Sequence, residues 1–272
     1  MRHSPAVEAH HFEALGTSCS LFGVGLTRTE LLQGEFWVRV LGARITRFSD
    51  RSELALLNGA EGEWVHVSAE MEALLRKALR AYELSAGLVN AAVLPSMLAI
   101  GYTRSLSAGA ATAKLEDARP APPLPEVLSV RPGSARLQAG CGLDLGGIAK
   151  GWMADRLAAR LGCNALANLG GDLRAIGAGP NGDGWPVGFA GVTVMLRDQG
   201  AATSSVRRRR WGRLHHLIDP RTGLPARSGL EEVSVVAAAG GDAEVVAKTA
   251  LLLGPGLATA YCAAHAQAWW LS

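Results

Sequence analysis

The run Asp144-Leu-Gly-Gly-Ile-Ala-Lys-Gly151 constrains this chain more than any other segment. Its paired glycines favour a tight turn. Residues 148–161 then repeat apolar side chains at helical spacing until Gly162 ends them. A carboxylate is thereby set on a glycine turn, with Lys150 on the first turn of the following helix. Exposed backbone N–H groups at such a turn, beside a lysine, favour anionic oxygens. Strand–turn–helix junctions also use paired glycines for close packing alone, and this segment by itself does not choose between the two readings.

The remaining sequence mixes strand and helix patterns. Residues 11–24 read as strand, turn, strand, broken at Leu15-Gly16-Thr17. Leu31, Leu32, Val38, Leu41 and Ile45 predict a helix over 29–45, weakened by Gly34 and Gly42. Ser68 caps a helix running to about Ser85, closed by Gly87. Strands are expected over 165–176, 185–194 and 233–239, and a helix over 243–253. Residues 107–126 are rich in Ala and Pro. They read as an irregular excursion, not a linker, because the motifs on their two sides serve one site. Gly177-Ala-Gly-Pro-Asn-Gly182 matches G-x-G-x-x-G, but Pro180 lies inside it and a strand follows. It therefore reads as a hairpin turn, not a dinucleotide fingerprint. The adjacent Trp269 and Trp270 are expected to be buried under the sheet.

Composition narrows the function classes. Apolar residues at 49% against 19% charged exclude a disordered chain. A net charge of +3 over 272 residues is too weak to make nucleic acid the main partner. No run of 18 apolar residues occurs, so no membrane insertion is expected. The N-terminal residues lack an apolar core of the signal-peptide kind, and a cytoplasmic location is expected. Cys19, Cys141, Cys163 and Cys262 form no C-x-x-C, which argues against a zinc ribbon or redox pair.

A further constellation is Ala202-Thr-Ser-Ser205, then Arg207 to Arg210, then His215-His-Leu-Ile-Asp-Pro-Arg-Thr-Gly-Leu-Pro225. Ser, His and Asp occur together, but no G-x-S-x-G exists and His216 and Asp219 are too close to define a triad. The four arginines read first as a solvated strand or hairpin end, with phosphate binding as the competing reading. Neighbouring histidines on a strand point to opposite faces, so one is expected toward a site and the other toward solvent.

Together these segments resemble the flavin transferases of the ApbE family. Leu15-Gly-Thr17 is similar to the family's Met-Gly-Thr, and Phe48-Ser-Asp-Arg-Ser-Glu-Leu54 with Asn58 to its Ser-Glu-Leu…Asn. Residues 144–151, 168–172, 202–204 and 216–223 are similar to its central motifs, in the same order. The resemblance runs from about residue 11 to about 265. It implies one α+β unit of two packed lobes over residues 1–272, with FAD in the cleft and magnesium against its pyrophosphate. The implied reaction is metal-assisted transfer of FMN from FAD to a Thr or Ser hydroxyl of an acceptor protein, releasing AMP. Asp144, Lys150 and His216 would contact FAD. Leu15, Phe48, Leu88, Val89 and Asn90 would line the flavin or adenine pocket. The carbonyl of Ala149, with Glu244 and Lys248, would occupy the metal positions, and His216 and Glu244 would be the catalytic groups.

Two departures stand out. Where the family usually reads Gly-x-Phe-Asp-Pro-Thr, this chain has Gly87-Leu-Val-Asn-Ala-Ala92, so a carboxylate becomes the amide of Asn90. Where the family has Asp and, four residues later, Thr on magnesium, this chain has Glu244 and Lys248. A frame using Thr249 instead leaves Val245 at the acid. An ammonium repels a metal ion, so Lys248 is expected to take part of the metal's place, with Glu244 as its counter-ion. An exposed Glu–Lys pair is the competing reading. The departures also admit an FAD-binding or FAD-hydrolysing relative in which transfer is weakened or lost.

Overall fold

Cys19 and Leu21 alternate with more exposed neighbours along Thr17–Val24 (β2), and His10 and Phe12 do the same along Val7–Ala14 (β1), so each strand buries one face. The two pair antiparallel around Leu15-Gly16, where Leu15 takes a left-handed φ of 55°. This is a computed structural model that describes residues 6–105, 109–189 and 191–272. Residues 1–5 of the N-terminal reading, 107–108 of the expected excursion and 190 of the expected 185–194 strand lie outside them.

Helix α1 (Arg28–Ile45) opens with a capping box between Thr27 and Glu30 and buries Leu31, Val38, Leu41 and Ile45. Then come α2 (Glu53–Asn58), β3 (Trp64–His66) and α3 (Ala69–Leu84), the last capped by Ser68 as its sequence requires. Short helical pieces follow: a 3-10 turn at Ala91–Val93, α4 (Leu94–Ala99), a second 3-10 turn at Leu115–Asp117 and α5 (Leu124–Val127). The described part of the excursion is tied down, with Asn90 and Ser96 donating to the carbonyls of Pro122 and Arg119, both at 2.9 Å. Strands β4 (Leu128–Arg131) and β5 (Ser134–Leu137) join β3 in a small sheet of order β3-β5-β4.

After α6 (Ala149–Leu161), ended by Gly162, come β6 (Ala165–Leu169), β7 (Leu173–Ile176), β8 (Trp185–Phe189), β9 (Val192–Leu196) and β10 (Gly200–Ser205). The short pairs β11 (Arg210–Trp211) with β12 (Leu214–His215), and β13 (Ile218–Asp219) with β14 (Leu224–Pro225), precede β15 (Glu232–Ala237). The described chain closes with α7 (Gly240–Leu253), α8 (Pro255–His265) and β16 (Ala268–Leu271).

The main sheet is antiparallel, in the order β1-β2-β6-β7-β10-β15-β16. Helices α1, α6, α7 and α8 pack on it, and the β8–β9 hairpin packs against Leu166, Leu173, Ala175 and Val236 through Trp185, Phe189 and Leu196. The fold is α+β. One cluster of buried side chains is continuous from Leu21 and Leu31 through Leu74, Leu137 and Ile148 to Leu169 and Val245.

Four strand expectations need correcting. Residues 185–194 are not one strand but fall on two, β8 and β9, paired antiparallel from Trp185 with Leu196 to Phe189 with Val192. Residues 165–176 are two strands, β6 and β7, because Gly170 and Gly171 (φ 74° and 96°) turn the chain between them. Residues 177–182 are not a hairpin turn: β8 pairs with β9 and not with β7. Trp269 and Trp270 lie on the edge strand and divide between its two faces, Trp270 stacking on Phe189 with centroids 5.8 Å apart.

Candidate active site

Helices α6 and α7 start against each other because Gly151 carries no side chain. A Cβ there would lie 2.5 Å from the carbonyl oxygen of Gly240. At that separation each helix caps the other. Glu244 of α7 accepts from the Gly151 N–H at 2.9 Å, and Asp155 of α6 accepts from the N–H groups of Gly240 and Gly241 at 2.7 and 2.9 Å. Burial raises the Asp155 carboxyl above its ordinary value, partly offset by those two backbone donors.

This junction positions two lysines. Lys150 pairs with Asp172, and its Nζ lies 3.4 Å from Oε1 of Glu244. Asp172 is presented by the β6–β7 turn, which Asn168 holds by accepting the Gly171 N–H at 2.8 Å. Lys248, one turn beyond Glu244 on α7, donates to the carbonyl of Gly147 at 2.8 Å. Burial first, and then Arg209, lowers both ammonium pKa values, while Glu244 raises them. The expected counter-ion is thus reassigned: Glu244 pairs with Lys150, and Lys248 rests on a backbone carbonyl. Thr249, from the other frame, is buried with its hydroxyl on the Val245 carbonyl at 2.8 Å.

A cavity of about 850 Å³ lies against this cluster and the β1–β2 turn. Leu15, Phe48, Leu88, Val89, Asn90, Asp144, Ala149, Lys150, His216 and Lys248 all line it. Glu244 does not; it lines an adjoining polar cavity of about 200 Å³ that shares Lys150, Arg208, Arg209, His216 and Lys248 with the first. Asn90 is buried and its amide is used locally, donating to Pro122 and accepting from the Ala92 N–H at 2.9 Å. Asp144 accepts from the Gly146 N–H at 2.8 Å and from Nε of Arg47 at 2.5 Å. Arg47 was not expected here. Its guanidinium lies 4.2 Å from the Phe48 ring centroid and 4.6 Å from that of Tyr102.

The two histidines divide their work. His216 sits just after β12, its Nδ1 3.3 Å from the Arg209 carbonyl. A carbonyl only accepts, so Nδ1 carries the proton and Nε2 is left as an acceptor. Burial, then Arg209, Lys248 and Lys150, hold His216 well below the ordinary imidazole value. His215 does not face solvent as expected. Its Nε2 donates to the Ala226 carbonyl at 3.0 Å and its Nδ1 accepts from the Leu217 N–H at 3.3 Å. The arginine run is also divided: Arg207 pairs with exposed Glu231, whereas Arg208 and Arg209 line both cavities. Arg208 is exposed all the same, so the solvated reading is corrected only for the half-buried Arg209.

The residues present do not fit a magnesium ion. Lys248 offers a cationic donor where a ligand oxygen is needed. Both oxygens of Glu244 are engaged, one by Gly151 N–H and one by Lys150. Among the described residues no three His, Cys, Asp or Glu side chains gather to hold a metal. At 4 Å and an effective dielectric of about 20, unit charges of like sign oppose each other by about 4 kcal/mol, and a divalent ion doubles that.

Residues 15–270 match the ApbE family. The chain is 32% identical over 238 residues to an FAD:protein FMN transferase of Treponema pallidum, a match covering 75% of this chain and 66% of that protein. It is 35% identical over 150 residues to one of Klebsiella pneumoniae, covering 48% and 44%. It thus spans just under two thirds of the first relative and under half of the second. The fold matches the ApbE protein of Thermotoga maritima with a TM-score of 0.85 at 22% identity, over 98% of this chain and 94% of that one. It matches the apo flavinyl transferase ApbE of Pseudomonas stutzeri with a TM-score of 0.82 at 21% identity, over 94% and 87%. Among the described residues no helix is long and apolar enough to cross a membrane.

Proposed function

The chain belongs to the ApbE family, and from that premise we propose that it transfers FMN from FAD to a Thr or Ser hydroxyl of an acceptor protein, releasing AMP. One observation carries the reading. A large, mostly apolar cavity adjoins a smaller polar one, and the wall they share holds Lys150, Lys248, Arg208, Arg209 and His216. Apolar walls beside a cationic one suit ring systems joined through a diphosphate.

In this reading Leu15, Phe48, Leu88 and Val89 take the rings, with Asn90 forming wall rather than offering a hydrogen bond. Lys150, Lys248 and Arg209 face the diphosphate and stabilise charge that develops as the bond to AMP breaks. The acceptor hydroxyl oxygen bonds to the phosphorus on the FMN side. Its proton passes to Nε2 of His216, and AMP departs with the electron pair of the broken P–O bond. Glu244 acts through Lys150 and the α6 N-terminus, as a positioning residue.

The test is incubation with FAD and a domain carrying a Thr/Ser flavin target, with intact mass of that domain and chromatography of the nucleotides. FMN on the target together with free AMP is expected. AMP without modified target would assign water as the attacking group, and intact FAD would reject both.

A further inference from the structure

We propose that Lys248 is the resident cation of the diphosphate subsite, so that this chain holds a dinucleotide's diphosphate with ammonium and guanidinium groups and needs no divalent ion there. The inference rests on the dinucleotide reading above.

First, the ammonium has a built seat. Its Nζ donates to the Gly147 carbonyl at 2.8 Å, and a Cβ on Gly147 would lie 1.8 Å from that nitrogen. Gly147 is not among the glycines at positive φ, so the missing side chain serves space and not backbone conformation. Second, the carboxylates that would draw a metal are committed elsewhere. Asp172 and Glu244 hold Lys150, Glu244 also caps α6, and Asp144 holds Arg47. Third, the smaller cavity is lined by Lys150, Lys248, Arg208 and Arg209 against only Asp172 and Glu244. An excess of fixed positive charge at close quarters attracts a dianion and repels a divalent cation. The Gly147 carbonyl uses one of the three N–H donors of Lys248, and a phosphate oxygen is the partner that suits the others.

Titration calorimetry with FAD tests this on the whole chain, in EDTA and in magnesium. Wild-type affinity should agree within about twofold between the two buffers, and a gain above about tenfold with magnesium would overturn the proposal. Lys248→Thr should weaken FAD binding in EDTA by about tenfold or more, since it removes a charge-assisted donor, and magnesium should restore part of the loss. Lys248→Gln, close in length and uncharged, serves if the threonine variant does not fold; unchanged affinity in the variant that folds would refute the resident cation. Manganese, followed by its EPR signal without nucleotide, should bind Lys248→Thr and not the wild type, and tight wild-type binding would refute it equally. If FAD binds in neither buffer, inorganic pyrophosphate is titrated instead. Pyrophosphate bound in EDTA and lost in the variant would leave the resident cation standing with the dinucleotide reading gone. No pyrophosphate binding would sink both.

Discussion

The Lys248 ammonium stands 2.8 Å from the Gly147 carbonyl oxygen, in the space that a Gly147 side chain would fill. Gly147→Ala therefore tests the seat directly. The clashing atom is the end of a flexible side chain, so the lysine moves and the fold survives, with a stability change within about 1 kcal/mol. FAD affinity should fall by about tenfold. Adding Gly147→Ala to Lys248→Thr should cost no further affinity, because both act on one contact. Calorimetry on the two single variants and the double variant reads this, and full additivity would show the contact to be irrelevant to binding.

His216→Ala and His215→Ala should fail in different ways. His216 lines both cavities with Nε2 free to accept, so its loss should lower turnover by roughly 10²–10⁴-fold while leaving the unfolding midpoint nearly unchanged. His215 holds the Ala226 carbonyl and the Leu217 N–H, so its loss should cost about 1–3 kcal/mol of stability with FAD affinity little altered. Parallel urea unfolding and FAD turnover separate them; the reverse pattern would exchange the roles.

The pH dependence follows from the same ring. His216 has a folded pKa well below its ordinary 6.5, first through burial and then through Arg209, Lys248 and Lys150. Between the folded and unfolded values only the unfolded chain binds the proton, so stability falls as pH drops below about 6.5 and levels off once the folded ring is protonated. His216→Gln removes that group and should show a smaller loss of urea midpoint between about pH 7 and pH 5. Equal losses in the two proteins would mean that the ring titrates normally.

Local signals made much of this legible. Ser68 and Gly162 bound α3 and α6 through their own cap chemistry, whereas the Asp144–Gly151 turn suited a polar site and plain close packing equally until the other motifs were set beside it. The small sheet β3-β5-β4 was missed because strands of three or four residues are too short to show a period. Gly170-Gly171-Asp172 carries ordinary turn chemistry, but the apolar residues on both sides of it gave no sign that β6 and β7 pair with each other. Which of four consecutive arginines face inward is set by the turn between β10 and β11, where the Ser205 hydroxyl accepts the Arg207 N–H at 3.2 Å. Arg47 gave no signal at all, since its partner Asp144 lies 97 residues away and only the folded chain brings them together.

Arg47 is also the subject of the last prediction. Its side chain is 5% exposed and that of Asp144 13%, so the pair is largely removed from water. Breaking such a pair from one side costs more than its net contribution, because a charge is left buried without a partner. The two sides are not equivalent. Asp144→Asn leaves Arg47 its bond to the Tyr102 carbonyl at 2.6 Å and its contacts with the Phe48 and Tyr102 rings. Arg47→Ala leaves the Asp144 carboxylate only the Gly146 N–H and opens a gap beside the Phe48 and Tyr102 rings. Arg47→Ala should therefore cost about 3 kcal/mol and Asp144→Asn about half that. Arg47→Lys should rescue little, since an ammonium cannot reach the carboxylate and the carbonyl with the same planar fork. The double variant Arg47→Ala/Asp144→Asn should be more stable than Arg47→Ala alone, as the stranded carboxylate is gone. Urea unfolding of the four variants decides it, and a double variant as unstable as the summed single changes would mean that the two side chains are not coupled.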